Sequence, residues 1–166
     1  TLFYDMPARK MKIIGVTGTN GKTTSSYLLK SIFEKAGLKT GIIGTLGTLI
    51  DGEVLDTGHT TPESLELNKY LTMMVDKRVS HAVVEVSSHS LKLHRVYDIP
   101  FEIGVFTNLT QDHLDFHGGL RDYFEAKALL FQNTRAAVLN TDDPAGEELA
   151  RRLSIPLITY GVEKPA

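Results

Sequence analysis

Residues 12–24 read KIIGVTGTNGKTT, a short apolar run that gives way to a glycine-rich turn and then to hydroxyl side chains. Nothing polar alternates through residues 12–16 after Lys12, the pattern of a strand buried on both faces. Beyond the turn, residues 23–36 (TTSSYLLKSIFEKA) set Leu28, Leu29, Ile32, Phe33 and Ala36 at helical spacing and stop at Gly37. Strand, glycine loop and helix in that order bring backbone N–H groups and the positive end of a helix dipole to the turn, where they suit a phosphate. Gly18 and Gly21 supply backbone freedom, Lys22 can reach β- and γ-phosphates, and Thr23 can ligate Mg²⁺. The strict pattern G-x-x-x-x-G-K-[ST] asks for glycine at Val16, and the nearest one, Gly15, comes a residue early. A glycine turn followed by a chance Lys-Thr is the bland alternative; the strand, the GK[ST] triplet and the helix together favour nucleotide binding.

The same alternation continues outward. A strand is expected over residues 39–45, then a hairpin over 46–56, where Asp51-Gly52 sits between Leu49-Ile50 and Val54-Leu55. Pro62 opens a helix with Thr61 as a candidate cap, and Leu67, Tyr70, Leu71, Met74 and Val75 fall on one face. Residues 81–86 and 102–107 read as buried strands, 123–131 as a helix, 136–140 as a strand, 144–153 as a helix and 156–160 as a last strand. Strands alternating with helices imply crossovers: an α/β fold, three layers of the phosphate-loop type, with a mainly parallel sheet and helices on both faces. In such sheets ligands sit beyond the carboxyl ends of the strands.

Composition narrows the function. With 166 residues, 18 Lys+Arg against 20 Asp+Glu and 42% hydrophobic residues, the chain has the balance of a globular domain. A net charge of −2 offers no global attraction to nucleic acid. The absence of cysteine excludes disulfides, thiolate metal sites and cysteine nucleophiles. No apolar run approaches the roughly 20 residues of a membrane helix, and residues 1–7 (TLFYDMP) lack the pattern of a signal peptide. The expectation is a cytoplasmic protein, monomeric, without membrane or nucleic-acid partners.

Polar residues cluster just past the expected strands. Glu85 ends an apolar strand and precedes Val86-Ser87-Ser88-His89; its carboxylate can hold Mg²⁺, or can be satisfied by a nearby helix start. Asp112, His113, Asp115 and His117 follow Phe106-Thr107-Asn108, either as a metal or phosphate site or as solvated loop residues. The stripe Leu120, Tyr123, Phe124, Lys127, Leu130, Phe131 puts Lys127 on an apolar helix face. Such a lysine either snorkels to the edge or is a desolvated amine able to react with CO₂ to give a carbamate. Thr60 and Thr61 offer two hydroxyls before a helix, one of which a cap explains, and Arg95 suits an anionic substrate or a surface carboxylate.

These pieces together resemble the Mur ligases, and within them the UDP-N-acetylmuramoyl-tripeptide synthetase branch (MurE-type). The matching motifs are GVTGTNGKTT at 15–24, HTTP at 59–62, EVSSH at 85–89 continuing to Arg95, FTNLTQDHLDFHG at 106–118, and Glu125-Ala126-Lys127. TGTNGKT alone is shared with folylpolyglutamate and cyanophycin synthetases, whereas EVSSH with DHLDFHG is more specific. The resemblance implies the central ATP-binding domain of a ligase using ATP and Mg²⁺. Its substrates would be UDP-MurNAc-L-Ala-D-Glu and a diamino acid, meso-diaminopimelate or L-lysine, joined through an acyl phosphate. It implies nucleotide binding by Thr17, Gly18, Thr19, Asn20, Gly21, Lys22, Thr23, Thr24 and Asn108, and metal binding by Thr23, Glu85, His113 and Lys127. It further implies catalytic roles for carbamylated Lys127, Lys22 and His113, and substrate contacts from Thr60, Thr61, Ser87 and Arg95. Leu93 departs from relatives that carry Gln there. Family members have three domains, so 166 residues starting without Met imply an excised central domain, truncated at its C-terminal side, with the N-terminal uridine-binding and C-terminal ligase domains absent. Another ligase of the superfamily, or a nucleotide-binding module without ligase chemistry, is the alternative; a guanine-reading N-K-x-D is missing.

Overall fold

In the computed structural model, which describes residues 2–110 and 118–163, the central strand is β1 (Lys12–Thr17), buried from its second residue onward. From it the chain runs through α1 (Lys22–Lys35) to β2 (Thr40–Gly44) and the hairpin strands β3 (Gly47–Ile50) and β4 (Glu53–Leu55). Next come α2 (Ser64–Asp76), β5 (His81–Glu85), α3 (Ser88–Lys92) and β6 (Phe101–Phe106). The last elements are α4 (Leu120–Ala128), β7 (Thr134–Asn140), α5 (Pro144–Arg152) and β8 (Leu157–Tyr160). Asp51 and Gly52 both take positive φ, 53° and 86°, the geometry that a two-residue turn between β3 and β4 requires.

One eight-stranded sheet results, in the order β4-β3-β2-β5-β1-β6-β7-β8. The six strands from β2 to β8 in that order are parallel, and β3 and β4 extend the edge antiparallel. The chain leaves β1 toward β2 on one side and later crosses from β5 to β6 on the other. That reversal opens a crevice at the carboxyl ends of β1, β5 and β6, where ligands bind in folds of this kind.

Helices cover both faces, so the architecture is the expected three-layer α/β fold with a mainly parallel sheet. On one face α1 lays Leu29 and Phe33 against Ile14, Val16 and Val83. The other face is thicker: Leu67, Leu71 and Met74 of α2, Phe124 of α4 and Leu149 of α5 join the main core. A single helix on a sheet buries only a narrow stripe, so Leu28 and Ile32 of α1 stay exposed although their spacing suggested a broader apolar face. Two further expectations shift. Helix α2 starts at Ser64 rather than at Pro62, because the Thr61 hydroxyl is engaged elsewhere and does not cap it. The short α3 had no counterpart in the sequence reading; Ser87 caps it by accepting from Ser90 N at 3.1 Å.

Candidate functional site

The loop after β1 is shorter than the strict phosphate-loop pattern, because β1 continues through Val16, buried in the core, to Thr17. Glycine at position 16 would therefore be glycine inside a strand, and the turn begins at Gly18. Gly18 has φ 141°, and a Cβ there would lie 1.9 Å from Thr107 Oγ1. Gly21, at φ 83°, is the residue before α1. The first helical bond, Ser25 N to Gly21 O, leaves the amides of Thr23 and Thr24 outside the hydrogen bonding of the helix itself.

The loop is pinned to the segment after β6. Thr19 N donates to Asn108 O and Asn20 N to Asn108 Oδ1, both at 2.9 Å. Asn108 Nδ2 returns a bond to Asn20 O, and Thr107 Oγ1 donates to the same carbonyl at 2.7 Å. Asn108, expected on the nucleotide, thus has both amide atoms hydrogen-bonded to the loop backbone. Lys22 Nζ lies over the turn, donating to Gly18 O and Thr19 O at 2.9 Å each.

Glu85, at the end of β5, is fully buried. Its Oε2 accepts from Thr23 Oγ1 at 2.9 Å and from Thr45 Oγ1 at 2.9 Å. Its Oε1 is buried with no hydrogen-bond partner among the described residues. A buried carboxylate oxygen left in this way is costly, and a cation is the partner it suits. Among the described residues no three His, Cys, Asp or Glu side chains gather to hold a metal alone. Beside Glu85 the Thr23 hydroxyl offers a further oxygen, of the kind that Mg²⁺ takes together with phosphate oxygens at nucleotide sites.

Lys127 is 1% exposed on α4 and donates from Nζ to Gly18 O at 2.8 Å, with the Tyr123 ring centroid 4.2 Å away. The fold therefore brings Lys127, the Gly18 turn and Thr23 with Glu85 around one crevice. Snorkelling, the bland alternative for this lysine, is excluded by its burial.

A second group of expected residues meets beside Glu85. The buried Thr61 hydroxyl donates to the Glu85 backbone carbonyl at 2.8 Å and accepts from Ser87 N at 3.1 Å. Arg95 donates to Thr61 O at 3.0 Å and pairs with Glu63 at 2.7 Å, while its buried Nε has no partner among the described residues. Thr60 reaches Thr45 Oγ1 at 3.0 Å. Four of the expected site residues, Thr60, Thr61, Ser87 and Arg95, thus form one wall. His113, with Asp112, Asp115 and His117, lies outside the described residues. The sequence reading passed over Thr45, whose neighbours Gly44 and Leu46 give it no polar context.

A family model described as "Mur ligase middle domain" matches residues 16–166. UDP-N-acetylmuramoyl-L-alanyl-D-glutamate--2,6-diaminopimelate ligase 1 of Clostridium acetobutylicum is 51% identical over 99% of this chain. The match covers 34% of that relative, so the chain spans about a third of the length of its curated relatives. A solved structure of a ligase of the same name superposes with a TM-score of 0.83 at 36% identity, over 93% of this chain and 32% of the other. A pseudomurein peptide ligase type C from Methanothermus fervidus superposes with a TM-score of 0.65 at 26% identity, over 93% of this chain and 28% of its own.

Proposed function

Because this chain belongs to the Mur ligase family, we propose that it is the ATP-binding central domain of a cytoplasmic, monomeric ligase that adds a diamino acid to UDP-MurNAc-L-Ala-D-Glu. Curated relatives about half identical to it carry the name of a 2,6-diaminopimelate ligase, which favours diaminopimelate over L-lysine as the incoming amino acid. Uridine recognition and the domain closing over the site would come from parts of the whole protein on either side of this one.

ATP supplies the phosphoryl group that turns the substrate's D-Glu carboxylate into an acyl phosphate, and Mg²⁺ offsets charge on the phosphates; the amine then displaces phosphate to leave an amide. The donors on this chain suit both partners. The Gly18 turn and the start of α1 hold the phosphates through backbone amides, and Lys22 adds the positive charge that phosphoryl transfer needs. Thr23 and Glu85 take the cation, with His113 and Lys127 contributing to a second one. Thr60, Thr61, Ser87 and Arg95 hold the muramoyl peptide, with Arg95 directed at a carboxylate. An uncharged Lys127 amine gains CO₂ and loses a proton to form a carbamate, which places an anionic oxygen donor beside the phosphate loop.

The observation that carries this reading is the buried, half-satisfied Glu85 carboxylate hydrogen-bonded to Thr23 of the phosphate loop. The test is the full-length protein, assayed for phosphate release that requires UDP-MurNAc-dipeptide and diaminopimelate together. Release with neither substrate, or with a folate and glutamate instead, would overturn it. The 166-residue piece by itself is expected to give no amide.

A further inference from the structure

Gly44 ends β2 and Thr45 follows it, 40 residues from Glu85 in sequence, and both meet Glu85 in space. The Thr45 hydroxyl has one hydrogen, which it donates to Glu85 Oε2 at 2.9 Å. The 3.0 Å contact between Thr45 and Thr60 then has only one polarity, with Thr60 donating and Thr45 accepting. Thr60 is left with lone pairs and no hydrogen, so toward a ligand it is an acceptor. Gly44 governs the other oxygen. A Cβ at this position would fall 2.2 Å from Glu85 Oε1 and 2.6 Å from its Cδ. Gly44 is not among the glycines with positive φ, so space for the carboxylate is the physical reason for glycine here.

We propose that Gly44-Thr45 is a positioning element that sets both oxygens of Glu85 and, through the directed chain Thr60 to Thr45 to Glu85, couples the cation site to the wall that holds the muramoyl peptide. The proposal rests on the reading that Glu85 faces Mg²⁺. In it, Gly44 leaves Oε1 its place, Thr45 fixes Oε2, and Thr60 is presented to a donor group of the substrate. Neither Gly44 nor Thr45 touches the reacting atoms. Their effect is on the affinities of two ligands together, because one hydroxyl serves both Glu85 and Thr60.

The experiment uses the full-length enzyme with Thr45→Val, Thr45→Ser, Gly44→Ala and Glu85→Gln. Mn²⁺ binding is read by electron paramagnetic resonance with a non-hydrolysable ATP analogue present, and KM and kcat are measured separately. Valine keeps the shape of threonine and removes the hydroxyl. Losing a hydrogen bond to a charged group should weaken Mn²⁺ binding about tenfold, and should raise KM for UDP-MurNAc-dipeptide in parallel while kcat changes less. Serine restores the hydroxyl and should restore both constants. Gly44→Ala leaves every hydroxyl in place and is expected to weaken Mn²⁺ at least as much. A wild-type Mn²⁺ constant in either Thr45→Val or Gly44→Ala overturns the proposal, as does failure of serine to rescue valine. Glu85→Gln keeps the outcomes apart: loss of Mn²⁺ there, with the other variants unaffected, sinks only the positioning role, whereas undiminished Mn²⁺ binding in Glu85→Gln sinks the reading beneath it.

Discussion

Beyond the carboxyl ends of β1, β5 and β6, polar groups are buried: Glu85 at 0%, Lys127 at 1% and Thr61 at 1% exposure. Around the amino ends, charges pair in water instead, as in Arg135 with Glu102 and Lys39 with Asp51. Shape and chemistry also part company. A cavity of about 390 Å³ lies at the amino end, lined by Leu91, His94, Tyr97, Phe101 and Asn133 among others. It carries no buried carboxylate or ammonium of its own. A fold gains little by desolvating charges, and often loses. The carboxyl end bears that cost, which is what the proposed site for charged ligands would require.

The hardest test of this contrast is Lys127→Met. Methionine has a similar volume and no charge, so it removes the function assigned to this lysine and relieves the desolvation of a buried cation. In the full-length enzyme ligase activity should fall by about three orders of magnitude, and added bicarbonate should not restore it. Thermal stability should hold or rise. Retained activity breaks the functional reading of the carboxyl end, and a collapse in stability shows that Lys127 is there to hold the Gly18 turn through its hydrogen bond to Gly18 O.

Next in size is Gly18→Ala. The added Cβ would meet Thr107 Oγ1 at 1.9 Å on a backbone of φ 141°. Strain of this kind costs about 2 kcal/mol, a drop of roughly 4–8 °C in a domain of this size. A melting curve measures it. Gly37→Ala at the end of α1 also has positive φ but nothing within 4 Å of its Cβ, and should lose less. An equal loss at both would mean that the tight approach to Thr107 contributes nothing.

The carboxyl end was readable from sequence where its signals were local. Gly18, Gly21 and Lys22 follow a strand and open a helix within a dozen residues, and Glu85 stands out as a charge ending an apolar run. Lys127 was visible as a cation in an apolar stripe, although its partner Gly18 lies 109 residues away. Thr45 could not be seen, since a threonine in a turn gains meaning only when Glu85 arrives from another strand. Thr61 was misread for the related reason that a local cap competed with a long-range acceptor, the Glu85 carbonyl, and the acceptor won. Helix α3 has five residues, too few for periodicity to register. The exposure of Leu28 and Ile32 depends on how narrowly α1 meets the sheet, which spacing along one helix does not encode.

At the amino end the expected effects are small. Arg135 and Glu102 meet at 2.9 Å with side chains 77% and 34% exposed. Exposed pairs contribute about 0–1 kcal/mol. Arg135→Ala should shift the melting temperature by less than about 3 °C and leave ligase activity in the full-length enzyme unchanged. A shift as large as that of Gly18→Ala would erase the distinction between the two ends.

The smallest effect belongs to His81, the first residue of β5, which pairs in register with Lys12 of β1. Burial, and then the neighbouring Lys12 charge, hold its pKa below the ordinary 6.5. The folded state therefore takes up this proton less readily than the unfolded chain. Its contribution to stability is complete above about pH 6.5, and is lost as pH falls from there through the lower folded value. Replacing it by glutamine, which does not titrate, should flatten this part of the profile. Melting temperatures of both proteins at pH 7.5 and 5.5 give the measurement, with the difference between the two drops isolating His81 from carboxylates common to both. The wild type should lose more on acidification. Identical drops would mean that this ring, though partly buried, is as free to take a proton as it would be in water, and that even the start of the central strands carries no electrostatic burden.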